Sequence, residues 1–294
     1  MNRFFKAAMI VAAFCLAACS SNDEPKPPLA LKWLESDSIA LRTISVQLQT
    51  NSGSYPVPWS VEDRSTWKDI KLGRVVIDKS ERETESDSLA LAVVEFTMYL
   101  PESGEKMPMW LLKLKYLDKL AIYARPGAIV RPNFIPYSLK SLLIDRMGPE
   151  DDGYILLDSL DSPDQRCLHL DHRMVLDNIE VHGVDMTDFS FSWTYNSKID
   201  LSHNQLSGEV PPFAGSVYNQ MNLSHNKYTK VYGGWKHWIQ WTMNESNING
   251  SKWDFFTHPN LQYNEIEDFR SAKHTKFWYE YENDFIGNPG YSGY

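Results

Sequence analysis

Apolar residues in this chain recur as short apolar-x-apolar pairs set among polar positions, not as long helical stripes. The clearest case is Ile199-Asp200-Leu201-Ser202-His203-Asn204-Gln205-Leu206, which returns 22 residues later as Met221-Asn222-Leu223-Ser224-His225-Asn226-Lys227-Tyr228. Alternation of this kind predicts a short strand with one buried face, followed by a turn. Further pairs align at Val94 and Phe96, Leu120 and Ile122, Leu142 and Ile144, Leu168 and Leu170, Trp241 and Met243, and finally Leu261 near Asn264. Steps between the second members are 26, 22, 26, 31, 22, 20 and 18 residues. The 31-residue step holds either an irregular rung at Ile179-Glu180-Val181 or one repeat with an insertion around Asp185 to Trp193. A strand that buries only one face needs a neighbour of the same kind, so repeats of this length predict a stack of coils with one shared core.

Leu206-Ser207-Gly208-Glu209-Val210-Pro211 extends the second half of the motif to LxLSxNxLSGxxP, which resembles the plant-type leucine-rich repeat also found in bacterial surface proteins. The resemblance implies an α/β solenoid: a leucine-rich-repeat horseshoe with short parallel strands, over residues 93–270. The steps fit the family's period of about 20–29 residues. It also implies that Asn204, Asn226 and Asn264 use their amides to satisfy inward-facing backbone groups, although Asn264 fits an ordinary turn as well. Residues 29–92 resemble the amino-terminal cap of bacterial members, with a helix opening at Asp37-Ser38-Ile39-Ala40-Leu41, then Trp59, Trp67 and Gly73-Arg74-Val75-Val76. Lys79 to Ser88 reads as a hairpin loop between two strands. Residues 271–294, with Phe277-Trp278-Tyr279-Glu280-Tyr281, read as an aromatic closing cap.

The first 18 residues carry Arg3 and Lys6 ahead of the apolar run Ala7 to Leu16, which is too short for a stable membrane span and reads as a signal peptide. The run ends in Leu16-Ala17-Ala18-Cys19, resembling the lipobox of bacterial lipoproteins and implying lipidation of Cys19. Residues 19–28 are polar and proline-rich and read as a tether. The acidic Asp23-Glu24 pair is similar to the surface-export signal of Bacteroidetes lipoproteins. This places the body on the outer membrane, at the cell surface or on the periplasmic side.

Loss of the signal removes two positive charges and moves the formal charge from -9 to -11, which argues against nucleic acid as a partner. Cys167 alone remains in the body beyond Cys19, so no disulfide can form within it, and Cys167 is assigned to packing. With 43% hydrophobic residues the chain can supply the core that must then carry stability.

In the resembled fold the strand face is concave, and ligands meet the residues between and just after the inward pair. Those are Tyr123, Asp145, Arg146, His169, Asp171 and His172, then Asp200, His203, Asn222, His225, Asn244 and Glu245. His203 and His225 share a column about 4.8 Å apart, and His172 joins them if the 31-residue step is one repeat. Three imidazoles with Asp171, Asp200 or Glu245 could hold zinc, but a flat face lacks the closed geometry of such a site, so no metal or cofactor is assigned. No nucleophile elbow, phosphate loop or HExxH helix occurs, and no residue set argues for an enzyme. The expected partner is an extracellular protein or glycan. The alternative is a glycan-binding accessory lipoprotein of an uptake system, using the cluster Trp235, Trp238 and Trp253. Trp241 is expected in the core.

Overall fold

The computed structural model describes residues 31, 33–52, 63, 66–77, 89–158, 166–210, 220–231, 260–267 and 285–291. Among these the chain winds into a parallel-strand β-solenoid preceded by one helix.

That helix, α1 (Glu35–Ser52), buries Ala40, Leu41, Ile44 and Leu48, spaced as one helical face. Asp37 in its first turn is also buried, and one carboxylate oxygen accepts the backbone N–H of Val93 at 2.8 Å, tying the helix start to the first long strand. β1 (Ile70–Val76) pairs antiparallel with β2 (Leu89–Leu100). The register slips between Lys71 and Leu72, so Val94 is an extra residue opposite that junction. A Cβ on Gly73 would lie 2.7 Å from a Val94 methyl, so glycine leaves room for the bulged side chain.

From β2 onward the main sheet is parallel. β3 (Lys119–Ala124), β5 (Ser141–Arg146), β8 (Val175–Val181), β10 (Ser192–Asp200) and β12 (Gln220–Asn222) follow in that order. One inward column runs through Phe96, Leu120, Leu142, Ile179, Ile199 and Met221, and the next through Met98, Ile122, Ile144 and Val181, all buried. On the return legs β4 (Ile129–Val130) pairs with β6 (Leu156–Leu157), β7 (Cys167–His169) with β9 (Asp188–Ser190), and β11 (Ser207–Val210) with β13 (Lys227–Val231). The core lies between the main sheet and these short pairs.

Three of the expected rungs are placed differently. The first inward pair is Phe96 and Met98, not Val94 and Phe96, because the bulge at Val94 reverses the alternation of β2. Leu168 and Leu170 are buried, but β7 belongs to a return-leg pair, and the main-sheet rung is Ile179 with Val181, the irregular rung that is one of the two readings of the 31-residue step. An apolar-x-apolar triplet facing the core from the back has the same pattern as one facing it from the front. Finally, Asn222 bridges directly to Asn260, and Leu223 N–H bonds to Asn260 O at 2.9 Å, so the rung at Leu261 lies next to β12 in the ladder. The proposed rung at Trp241 and Met243, with the aromatic run 277–281, Trp59 and Lys79–Ser88, lies outside the described residues.

The coils are joined along one edge by asparagines. Asn226 is representative: its Oδ1 accepts the N–H of Leu206, while Nδ2 donates to the carbonyls of Leu201, Leu223 and Ser224 at 2.9–3.1 Å. Asn204 does the same for Val184, Val181 and Leu201, and Asn264 for Tyr228, Leu223 and Leu261. The column continues to Asn288, which binds the Ile266 N–H and the carbonyls of Leu261 and Phe285. Phe285-Ile286-Gly287-Asn288 has the same apolar-x-x-Asn spacing as its predecessors, yet falls in the stretch read as a closing cap. All four side chains are buried.

Each amide replaces contacts that a buried backbone cannot obtain from water. Asn226→Ala leaves one donor and several acceptors short of a partner. It should lower stability by about 2–4 kcal/mol, at about 1–3 kcal/mol per buried group left unpaired. Asn226→Asp keeps the acceptor but loses every donated bond, and should cost at least as much. Urea unfolding with both variants near wild type would show that the column is dispensable.

Candidate binding surface

Register fixes which side chains leave the main sheet on its outward side. One column reads Thr97, Ala121, Leu143, Glu180, Asp200 and Asn222. The next reads Tyr99, Tyr123, Asp145 and His182, and the tyrosine rings stack at 5.6 Å. On the same side Glu95 on β2 pairs with Lys71 and Lys119 at 2.8 and 3.3 Å, so the surface joins aromatic rings and an ion-pair cluster near β2 and is ionisable again from β5 onward.

The ionisable part centres on His182. Its Nε2 lies 3.2 Å from Asp200 Oδ1 on β10, and its Nδ1 lies 3.9 Å from Asp145 Oδ1 on β5. Asp200 also accepts the Ser202 N–H and hydroxyl at 3.1 and 2.7 Å and the Asn222 amide at 3.2 Å. Burial alone would raise the Asp200 pKa, but His182, Ser202 and Asn222 together hold it well below the usual carboxylate range. His182 is displaced upward, chiefly by Asp200 and against the effect of burial, with Asp145 and Glu180 adding to it. Glu180 is lowered, because its contacts with Asn178 and Lys198 outweigh its desolvation. Asn222 and Asn260 repeat the Asp200 turn, accepting the N–H groups of Ser224 and Gln262 two residues on.

A third column stands where the strands end. His203, His225 and Tyr263 each precede a column asparagine and adopt positive φ of 58°, 55° and 53°. Gly183 and Gly287 hold the same place in neighbouring coils, with φ of 67° and 82°. The three rings stack: His203 on His225 at 4.2 Å and 11°, and His225 on Tyr263 at 4.5 Å and 19°. Beside them a loop over residues 147–155 is held by Arg146, whose Nη1 donates to the carbonyls of Glu150 and Gly153 at 3.2 and 2.8 Å. Glu150 Oε1 approaches His203 Nδ1 to 3.0 Å. A groove of about 330 Å³ is lined by the three stacked rings together with Glu150, Tyr154, Lys227 and Glu265. His225 is lowered in pKa by burial and then by His203, so it is neutral near neutral pH.

Of the residues expected to line one face, Tyr123, Asp145, Arg146, Asp200, His203, Asn222 and His225 do fall together on the main sheet and its adjoining turns. His169 does not: it is on β7, with Asp171 and His172 just beyond, on the return side. There Asp171 pairs with Arg173 at 2.7–2.8 Å, which pulls its pKa down, and Arg173 lies 4.2 Å over the Tyr137 ring. The third ring in the histidine column is therefore Tyr263, not His172. Asn244, Glu245, Trp235, Trp238 and Trp253 lie outside the described residues.

Reading Ile179 and Val181 as the rung would have placed His182 and Glu180 on the face. Tyr263 precedes Asn264 as His225 precedes Asn226, a signal the sequence does carry. Glu150 and Tyr154 have none, since a loop brings them in. Among the described residues no group of three His, Cys, Asp or Glu side chains is arranged to hold a metal ion. No protein-family model matches the chain, and the search of curated proteins found no match.

The His182 cluster has a definite pH signature. The fold favours the protonated ring, so its contribution is complete below the unfolded value of about 6.5. It is lost as pH rises through the higher folded value. Between about pH 6 and about pH 9, wild type should lose urea stability relative to His182→Gln. Parallel pH profiles for the two proteins would show that the cluster contributes nothing.

Proposed function

We propose that this chain is a lipid-anchored leucine-rich-repeat binding module that recognises an extracellular protein or glycan through the outward face of its parallel sheet. Coil steps of 24 residues from Met98 to Ile122, 22 from Ile122 to Ile144, 20 from Val181 to Leu201 and 22 from Leu201 to Leu223 fit that repeat, while the step of 37 from Ile144 to Val181 is longer and takes in β6 and β7. The buried asparagine column is the feature such repeats use to close their turns. In this reading the sheet is the concave side of a horseshoe, α1 belongs to an amino-terminal cap, and Cys19 carries the lipid.

The observation that carries the functional part is the surface chemistry. The sheet face presents Tyr99, Tyr123, Asp145, His182 and Asp200 in adjacent positions, a mixture of flat rings and charged groups suited to a hydrogen-bonding macromolecular partner. Among the described residues of this face no set joins a nucleophile to a base and an oxyanion site, and the module is proposed as a non-enzyme.

A pull-down with mature protein against extracellular matrix proteins and polysaccharides should recover a partner. Tyr123→Ser combined with Asp145→Ser should weaken that partner at least about tenfold, the equivalent of about 1.4 kcal/mol. Retention at full strength by the double variant would remove the sheet face from the interaction. Protease shaving of intact cells should release the body. Protection until the outer membrane is permeabilised would place it on the periplasmic side.

A further inference from the structure

The groove beside the ring stack adjoins the sheet face where its strands end, and its chemistry is narrower. We infer that it is a saccharide subsite, taking a neutral mono- or disaccharide unit of a glycan. This inference rests on the binding-module reading and gives one part of the ligand its own address.

Charge comes first. Arg146 and Lys227 are met by Glu150 and Glu265 around the groove, so the walls carry both signs in equal number. A site for a phosphate, sulfate or strongly charged peptide would be dominated by one sign. A ligand bearing many hydroxyls is suited to mixed walls, because each hydroxyl donates to a carboxylate or accepts from a cation.

The floor has the same dual character. His203 and His225 stack face to face, so it is their edges that meet the groove, and His225 is kept neutral by burial and by its neighbour. A neutral imidazole offers one N–H donor and one acceptor nitrogen, and the phenol of Tyr263 offers both as well. The three rings repeat at 4.2 and 4.5 Å; His203 has its Nδ1 on Glu150 Oε1 at 3.0 Å, and His225 and Tyr263 present adjacent donor–acceptor pairs to neighbouring hydroxyls. Tyr154 adds an aromatic ring to the wall. The volume of about 330 Å³ is at the small end of the range for ligand pockets, about 300–1,000 Å³, and is too small for a folded partner.

The same geometry sets a pH dependence. Groups facing the two imidazoles are Glu150, Arg146 and Lys227 from neighbouring coils, with Glu265 and Tyr263 on the far side. Acidification turns the acceptor nitrogen of His225 into a donor and sets a positive ring 4.2 Å from the His203 ring, which removes that acceptor and disfavours the stack.

The test uses the full mature chain in detergent on an immobilised array of neutral and acidic oligosaccharides from animal, plant and bacterial sources. At least one neutral oligosaccharide should bind near neutral pH and weaken about tenfold or more by about pH 5, as hydrogen bonds worth about 1.5 kcal/mol are lost. His225→Asn tolerates the left-handed backbone and should fold, as should Tyr154→Ala in the loop. Both should lose the sugar, while Tyr123→Ser keeps it. Absence of any saccharide binding overturns the inference, as does exclusive binding of acidic glycans. Sugar binding that survives the groove variants but fails in Tyr123→Ser also overturns it, while leaving the sheet-face reading intact.

Discussion

Where a strand of this solenoid ends, the chain must turn while its backbone still faces a dry interior, and everything else depends on how those polar groups are satisfied. Four asparagines meet the need by reaching one coil back, each joining an amide of that coil to carbonyls of both coils. A leucine in the same place would pack well and leave each turn unpaired, at about 1–3 kcal/mol per group. Apolar columns then decide how far the coils are filled, and the asparagines decide how one coil is set on the next. The column is confined to the later coils. At the corresponding places earlier stand Arg125, Met147 and Val184, and backbone bonds such as Arg125 N–H to Leu100 O and Met147 N–H to Ala124 O join those coils instead.

This arrangement also positions the ring stack. To turn the column residue inward, asparagine in the later coils and Val184 before them, the preceding residue takes a left-handed backbone, which glycine adopts without cost and histidine or tyrosine adopts only when held there. At Gly183 and Gly287 the chain uses glycine, where a Cβ would run into Arg146 and the Tyr263 ring respectively. At His203, His225 and Tyr263 it accepts the strained conformation and gains three stacked rings at one edge of the sheet. Display at that edge is thus a by-product of how the interior is closed.

The repeat was legible because its two central copies are nearly identical, and the pairs Leu120/Ile122 and Leu142/Ile144 followed from spacing alone. What the pattern could not distinguish was which wall of the coil an apolar triplet belongs to. Leu168 and Leu170 face the core from the return side, and of the two readings of the 31-residue step it is the irregular rung at Ile179-Glu180-Val181 that enters the main sheet, bringing His182 onto the face beside Asp145 and Asp200. The shift at β2 had a different origin. One bulged residue reverses an alternation of period two, and nothing in the run from Leu89 to Leu100 marks Val94 as that residue, although Gly73 opposite makes the space for it. Glu150 and Tyr154 reach the groove through a loop fold that no periodicity encodes.

The direct pairing of Asn222 with Asn260 has a consequence for how such a molecule can change. Because the ladder passes from Asn222 straight to Asn260, the two stand on adjacent rungs although 38 positions separate them in the chain. A single insertion between Met221 and Leu223 would turn Leu223 outward, and one between Leu223 and Asn226 would move the asparagine off the column. Room for added length is therefore set rung by rung, and the short stretch from inward pair to asparagine has none.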